Sequence, residues 1–193
     1  MKSKNIVLLA SGSGSNVENI VRYFQDRPEV AISVVLTNKK DAKVLERCDY
    51  LKISGLYFNR TSFYDSNCIL DLLKGFDPEL IVLAGFLWKI PEKIIRAFPD
   101  RIINIHPALL PKYGGKGMYG NKIHQAVKKN GDTETGITIH YVNENYDEGA
   151  IIHQARTLIS EKDDVENIAQ KIHELEYAHF PKVIENLLIA ANQ

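Results

Sequence analysis

The strongest constraint on the fold is a regular alternation, through the first half of the chain, between short apolar runs and amphipathic helical segments. Residues 6–10 form an apolar run that ends at a Gly/Ser cluster, and apolar residues from Val17 to Phe24 then recur at helical spacing. Strands are predicted next at residues 31–37 and 53–58, and helices at residues 41–50 and 66–74. This pattern predicts successive βα units.

Two later runs, residues 80–84 and 102–105, are almost entirely apolar. Such runs are typical of strands buried on both faces of a parallel sheet. Pro91 lies between them and is predicted to open a short helix that reaches about Phe98, because the first helical turn does not need the N–H that proline lacks. We therefore predict an α/β fold with a doubly wound, mostly parallel sheet.

The second half of the chain begins with a segment rich in glycine and proline after His106, which predicts a long functional loop. A helix is predicted at residues 121–129, followed by strands at residues 136–142 and 150–157. Only residues 143–149 join these strands. Because that connection is too short for a helical crossover, the two strands are predicted to be antiparallel.

The last predicted element is a helix that Asp163 or Asp164 caps and that runs to about His179. Pro181 is predicted to kink or break this helix before a final helical segment ending at Leu188. No repeat, low-complexity tract or linker divides the 193 residues, so we expect one domain covering residues 1–193.

The composition is that of an ordinary globular protein, with 45% hydrophobic and 25% charged residues. The 24 basic and 24 acidic residues balance, so the chain lacks the positive field that nonspecific nucleic-acid or membrane binding needs. No apolar run predicts a membrane span or a signal peptide, and two cysteines are too few for a disulfide framework. We expect a cytoplasmic protein with neither nucleic-acid nor membrane partner.

A Gly/Ser loop, residues 11–16, joins the first strand to the first helix. Free N–H groups and the helix dipole at such a position attract an anion. Val17 replaces the third glycine of a dinucleotide fingerprint, and no acidic residue follows at the ribose position, where Thr37 and Asn38 stand. The loop favours a monophosphate ligand, although an ordinary βα turn has the same composition.

Polar residues interrupt the end of one apolar strand. Asn104 and His106 are two residues apart, so they share a face at the carboxyl end of a strand, where open α/β sheets bind ligands. If Asp147, in the later connection, folds over this edge, it can orient His106 while Asn104 donates to a developing oxyanion. That set suits acyl transfer by direct attack of a substrate amine.

Several motifs together carry a resemblance. The segment N-I-H-P-A-L-L-P beginning at Asn104, the loop G-S-G-S-N beginning at Gly12, and Asp147-x-Gly149 resemble the folate-dependent formyltransferases, and among them the phosphoribosylglycinamide formyltransferase family. The resemblance extends over nearly the whole chain and implies a Rossmann-like formyltransferase fold. About residues 1–100 would form the phosphate- and ribonucleotide-binding half, and about 101–193 the catalytic and folate-binding half.

The resemblance implies transfer of the formyl group of 10-formyltetrahydrofolate, a co-substrate, to the amino group of 5-phosphoribosylglycinamide in purine (IMP) biosynthesis, without a metal. The implied catalytic residues are Asn104, His106 and Asp147. The implied phosphate and ribonucleotide-binding residues are Gly14, Ser15, Asn16, His173, Glu174, Leu175 and Glu176. The implied folate-binding residues are Arg60, Leu87, Trp88, Lys89, Ile90, Asn104, Asn143, Glu144, Asn145, Tyr146 and Asp147. A monomer or a homodimer is expected.

Alternatives remain open at this point. A formyltransferase acting on an amino-sugar nucleotide would share the donor, and a noncatalytic folate- or phosphate-ligand-binding module would keep the Gly/Ser loop. His173 and His179 are six residues apart, rather than the four of H-E-x-x-H, which argues against zinc. His140 and His153 are expected to be core or surface histidines, with His140 near Asp147.

Overall fold

The computed structural model describes residues 3–190. Its strands are β1 (Lys4–Ala10), β2 (Val30–Thr37), β3 (Gly55–Tyr57), β4 (Leu80–Leu83), β5 (Ile102–His106), β6 (Glu134–Tyr141) and β7 (Ile151–Leu158). Its α-helices are α1 (Ser15–Phe24), α2 (Lys43–Leu51), α3 (Cys68–Phe76), α4 (Glu92–Ala97), α5 (Asn121–Lys129) and α6 (Val165–Ala190). A π-helical turn, Thr61–Asp65, precedes α3.

The strands form one sheet in the order β3-β2-β1-β4-β5-β6-β7. β1 pairs in parallel with β2 and β4, and β2 pairs in parallel with β3. β6 and β7 are antiparallel, with Glu134 opposite Leu158. The predicted α/β fold, with its mostly parallel sheet and late antiparallel pair, is confirmed.

The described residues fall into two compact units. One contains the chain up to Ile103 and again from Leu187, and its core includes the fully buried β1 residues Ile6, Val7 and Leu8. The other is Asn104–Asn186, and its core includes a cluster of Ala108, Ile123, Val127, Ile159 and Ile168. Within residues 3–190, no helix is both long and apolar enough to cross a bilayer.

Two predicted elements differ from the structure. α6 does not end near His179 but continues through Pro181 to Ala190. A proline inside a helix removes one backbone hydrogen bond and costs about 3 kcal/mol or more, and burial of the neighbouring Phe180 and Ile184 offsets this cost. β3 has only three residues rather than the six predicted, because it is an edge strand that pairs with β2 only from Gly55 to Tyr57.

The start of α6 follows the prediction that an aspartate caps it. Asp164 Oδ1 accepts a hydrogen bond from the Asn167 N–H at 2.7 Å, and Asn167 Oδ1 accepts one from the Asp164 N–H at 3.1 Å. This reciprocal pair satisfies two N–H groups that the helix itself leaves without partners.

Candidate active site

The strand order of the sheet reverses between β1 and β4, which makes their carboxyl ends a topological switch point. Open α/β sheets bind ligands at such points. The Ser11 N–H donates to the Gly85 carbonyl at 3.0 Å, and Ser11 Oγ accepts from the Leu87 N–H at 2.9 Å. Ser11 therefore joins the loop after β1 to the segment after β4.

The turn before α1 requires glycine at position 14. Gly14 has a φ of 76°, and a Cβ there would lie 2.4 Å from Val44 Cγ2 on α2. Arg47 holds the turn from outside, because its Nε donates to the Ser13 carbonyl at 2.6 Å and its guanidinium pairs with Glu18. The N–H groups at the start of α1 are thus presented by a rigid turn, in the arrangement that binds anions.

Asn38 is a polar residue of this edge to which sequence reasoning gave no role. It follows β2, whose last residue, Thr37, is in register with Ala10 of β1. Asn38 is buried, and its Oδ1 has no hydrogen-bond partner among the described residues. Because buried polar groups are nearly always satisfied, Asn38 is a candidate ligand-contacting residue. Its position directly after a buried strand was the sequence feature that could have identified it.

An aromatic cluster surrounds the predicted folate residues Arg60 and Trp88. The Arg60 guanidinium lies 4.6 Å from the ring centre of Tyr64 and 5.9 Å from that of Trp88. Tyr64 Oη donates to the Lys89 carbonyl at 2.9 Å. The structure therefore brings Arg60 together with the segment that contains Leu87, Trp88, Lys89 and Ile90. The other rings of the cluster are those of Phe58, Phe63 and Phe86.

The predicted residues Asn104, His106 and Asp147 lie together in the second unit, with His140 of β6. His106 Nδ1 is 3.6 Å from Asp147 Oδ2, and His140 Nε2 is 3.7 Å from Asp147 Oδ1. Asn104 Nδ2 donates to His140 Nε2 at 3.1 Å. His106 and His140 are both almost completely buried, and the Asp147 side chain is 14% exposed. The three predicted catalytic side chains therefore form one cluster.

Hydrogen bonds assign the tautomers of both histidines. His106 Nε2 donates to the Tyr113 carbonyl at 2.8 Å, so Nδ1 faces Asp147. His140 Nδ1 donates to the Tyr141 carbonyl at 2.8 Å, which leaves Nε2 to accept from Asn104. Burial lowers the pKa of His140, so this ring is neutral and its 3.7 Å contact with Asp147 is not an ion pair. His140 thereby orients the Asn104 amide.

The connection between β6 and β7 holds Asp147 in place. Asp147 has a φ of 58°, and its Oδ2 accepts a hydrogen bond from the Gly115 N–H at 2.9 Å. Gly149 allows the chain to return toward β6, because a Cβ there would lie only 1.7 Å from the Tyr141 carbonyl oxygen. The neighbouring predicted residues Glu144, Asn145 and Tyr146 are exposed on this connection.

The predicted helix residues 173–176 point in different directions. Glu176 is buried, whereas Glu174 is exposed and accepts a hydrogen bond from Gln170. His173 Nδ1 lies 3.0 Å from Glu176 Oε2, and this hydrogen bond raises the pKa of His173. Four consecutive helical residues span most of a turn, so one ligand cannot contact all four side chains equally.

His124 of α5 is a second polar residue to which sequence reasoning gave no role. It is buried, and its Nδ1 has no hydrogen-bond partner in residues 3–190. Burial, followed by the nearby charge of His173, lowers its pKa, while Glu176 acts in the opposite direction. His124 therefore adds an uncharged imidazole near the predicted ribonucleotide residues of α6.

Comparison with known proteins gives consistent results. The formyl transferase family (Formyl_trans_N) matches residues 4–184. A phosphoribosylglycinamide formyltransferase of Bacillus subtilis is 37% identical over 96% of this chain and 95% of its own length. A chloroplastic phosphoribosylglycinamide formyltransferase of Arabidopsis thaliana is 36% identical over 95% of this chain, which spans 65% of that protein. The crystal structure of phosphoribosylglycinamide formyltransferase from Anaplasma phagocytophilum superposes with a TM-score of 0.87, at 34% identity, over 99% of this chain and 89% of that one.

Proposed function

This chain belongs to the formyl transferase family and, within it, to the phosphoribosylglycinamide formyltransferases, and from this premise we propose how its residues carry out the reaction. The family uses formyltetrahydrofolate as its co-substrate. The reaction moves the formyl group of 10-formyltetrahydrofolate to the amino group of 5-phosphoribosylglycinamide in purine biosynthesis. The observation that carries the proposal is the cluster of Asn104, His106 and Asp147, in which His106 is buried and the other two residues are half-buried.

The N-terminus of α1 is the proposed site for the ribonucleotide phosphate. Gly14 lets the backbone approach the anion, and Ser15 and Asn16 add N–H and side-chain donors. The helix dipole favours a negative group here. On α6, Glu176 carries a buried carboxylate that suits a ribose hydroxyl or the glycinamide amine, with His173 and Leu175 beside it.

Replacing Gly14 with alanine is expected to raise the KM for the ribonucleotide. The added Cβ meets Val44 and also strains a left-handed backbone, so the turn must move, and we expect a loss of about 1–3 kcal/mol in the free energy of unfolding. Steady-state kinetics and urea unfolding measure the two effects. Gly75→Ala on α3 is the matched control, because nothing lies within 4 Å of a Cβ there and Gly75 lies outside the Gly/Ser loop. Equal KM values in the two variants would contradict the proposed phosphate site.

The folate co-substrate is proposed to contact Arg60 and the segment of residues 87–90 that the structure brings together with it. Arg60 carries a positive charge that suits the folate carboxylates, and Trp88 gives an aromatic surface beside it. Backbone groups of Leu87, Lys89 and Ile90 supply hydrogen-bonding partners for a pterin. Asn143, Glu144, Asn145 and Tyr146 are proposed to supply further backbone contacts from the connection between β6 and β7.

Asn104 is proposed to stabilise the formyl oxygen. One of its two amide N–H groups donates to His140, and no described residue accepts from the other. That N–H is available to the oxygen on which negative charge develops as the amine attacks. Because His140 is uncharged and fixed by the Tyr141 carbonyl, the amide is held in one orientation before substrate binds.

His106 is proposed to assist proton transfer between the attacking amine and the departing folate nitrogen. Its Nδ1 is the ring atom that the Tyr113 carbonyl does not occupy, and Asp147 lies beside it to stabilise an imidazolium. The cluster of Asn104, His106, His140 and Asp147 contains no serine or cysteine. The proposed step is direct attack of the amine on the formyl carbon, without a covalent intermediate on the protein.

The acceptor distinguishes this proposal from its alternatives. Formyl transfer from 10-formyltetrahydrofolate is measured with 5-phosphoribosylglycinamide, a 4-amino-sugar nucleotide, or water alone. Rapid transfer to the glycinamide alone is expected. Preference for the sugar nucleotide or for water would contradict the proposed acceptor, and no transfer at all would favour a noncatalytic binding module. The proposal also assigns the enzyme to the cytoplasm, with small-molecule partners only.

A further inference from the structure

Two backbone groups of one turn contact the catalytic pair directly. The Tyr113 carbonyl accepts from His106 Nε2, and the Gly115 N–H donates to Asp147 Oδ2 at 2.9 Å. Between them, a Cβ at Gly114 would lie 2.7 Å from Leu110 Cδ2 and 3.4 Å from Asp147 Cβ. The turn of residues 113–115 therefore packs against the catalytic residues with no room for a side chain at its centre.

The phenol of Tyr113 fixes this turn from the opposite side. Tyr113 Oη donates to Asp132 Oδ2 at 2.7 Å and accepts from Asn130 Nδ2 at 2.8 Å. Lys112 Nζ lies 2.7 and 2.8 Å from the two Asp132 oxygens. Hydrogen bonds from Lys112 and Tyr113 lower the pKa of Asp132, so it stays an ionised acceptor. The Tyr113 ring also packs against the core cluster that contains Ala108 and Ile123.

Tyr113 needs such an anchor because of its backbone conformation. Its φ of 59° is left-handed, which a bulky residue adopts only when its surroundings hold it there. This conformation contributes to directing its carbonyl at His106. Tyr113 therefore makes both sets of hydrogen bonds: its phenol bonds to Asp132 and Asn130, and its carbonyl accepts from His106. A change at the phenol can thus alter the hydrogen bond to the imidazole.

We propose that Tyr113 is a positioning residue for His106. The anchored carbonyl keeps the His106 proton on Nε2 and thereby keeps Nδ1 as the ring atom that faces Asp147 and the reacting groups. Its role in turnover rests on the function proposed above for His106. The tautomer of His106 does not depend on that function, because it follows from contacts that the protein makes without substrate.

Tyr113→Phe removes both phenol hydrogen bonds while keeping the ring in the core. An open cavity of about 210 Å³, lined by Lys112, Tyr113 and Asp132 among others, lets water reach the Asp132 carboxylate, so the variant is expected to fold. Tyr119→Phe is the matched control, since Tyr119 belongs to the same loop and the residue is 45% exposed. Asn130→Ala is a second variant that removes only one of the two anchoring bonds.

Nitrogen-15 NMR of the histidine rings and steady-state kinetics test the proposal together. In the wild-type protein at alkaline pH, His106 is expected to carry its proton on Nε2. In Tyr113→Phe the two tautomers should mix, and kcat should fall about ten-fold, with both KM values within about two-fold, because small misplacements of a catalytic group reduce turnover. Asn130→Ala should show a smaller change of the same kind, and Tyr119→Phe none.

An unchanged tautomer in Tyr113→Phe and Asn130→Ala would overturn the proposal, as would a changed tautomer with an unchanged kcat. If Tyr113→Phe fails to fold, the His106 tautomer and kcat are measured in Asn130→Ala instead, and they test the same proposal. If the wild-type protein transfers no formyl group but its His106 tautomer still depends on Tyr113, the proposed function is wrong. The proposal that Tyr113 sets the His106 tautomer then still stands. The two proposals therefore fail in distinguishable ways.

Discussion

Replacing His106 with alanine is expected to reduce kcat by roughly 10² to 10⁴, the usual range for loss of a general acid or base. The imidazole is buried, is held at Nε2 by the Tyr113 carbonyl and presents Nδ1 beside Asp147, so no other described side chain of the cluster can take over its proton transfer. The KM values should change little, because proton transfer is needed in the transition state and contributes little to ground-state binding.

His153→Asn is the matched control for that variant. His153 pairs with His179 through a 2.9 Å ring-to-ring hydrogen bond and lies outside the proposed catalytic cluster. Its kcat should stay within about three-fold of the wild-type value, in line with substitutions made away from the reacting groups. If His106→Ala retained near-normal turnover while folding normally, the acid-base role of His106 would be wrong.

Replacing Asn104 with alanine is expected to reduce kcat by about 10² to 10³, the loss seen when one oxyanion donor is removed. The amide is oriented before substrate binds, because the neutral His140 ring accepts one of its two N–H groups. The variant leaves His106, Asp147 and their hydrogen bonds to the 113–115 turn in place. Its defect should therefore appear in kcat, at the step in which charge develops on the formyl oxygen.

Asn67→Ala is the control for the asparagine substitution. Asn67 is exposed at the start of α3, and its side chain makes no capping hydrogen bond. Activity and unfolding free energy should both remain near wild type, since exposed substitutions without special contacts change stability by less than about 0.5 kcal/mol. A normal kcat for Asn104→Ala in the same assay would assign oxyanion stabilisation to another group.

Much of the fold follows from local pattern. Apolar runs at residues 6–10, 80–84 and 102–105 are central strands, because only a sheet covered on both faces accepts such runs. The two-residue spacing of Asn104 and His106 brought both side chains to one cluster, as strand geometry requires. The antiparallel β6–β7 pair followed from its short connection.

Contacts that depend on tertiary structure were not predictable. His140 was expected to be an ordinary core or surface histidine near Asp147, yet its Nε2 orients Asn104, and no local pattern encodes a contact between β5 and β6. In the sequence, Tyr113 was one residue of a loop rich in glycine and proline. Its proposed role in positioning His106 depends on its left-handed backbone and on Asp132, nineteen residues later. Pro181 was expected to interrupt the last helix, but burial of its neighbours maintains that helix.

The most direct test of the account follows labelled formyl through a single turnover. Enzyme in excess is mixed with 10-formyltetrahydrofolate labelled in the formyl group and with 5-phosphoribosylglycinamide, and the reaction is stopped by acid at successive times. We predict that label appears on the ribonucleotide as fast as it leaves the folate, with none on the protein, and that both rates fall together in His106→Ala. Label on the protein, or release of labelled formate to water, would contradict direct transfer to the amine.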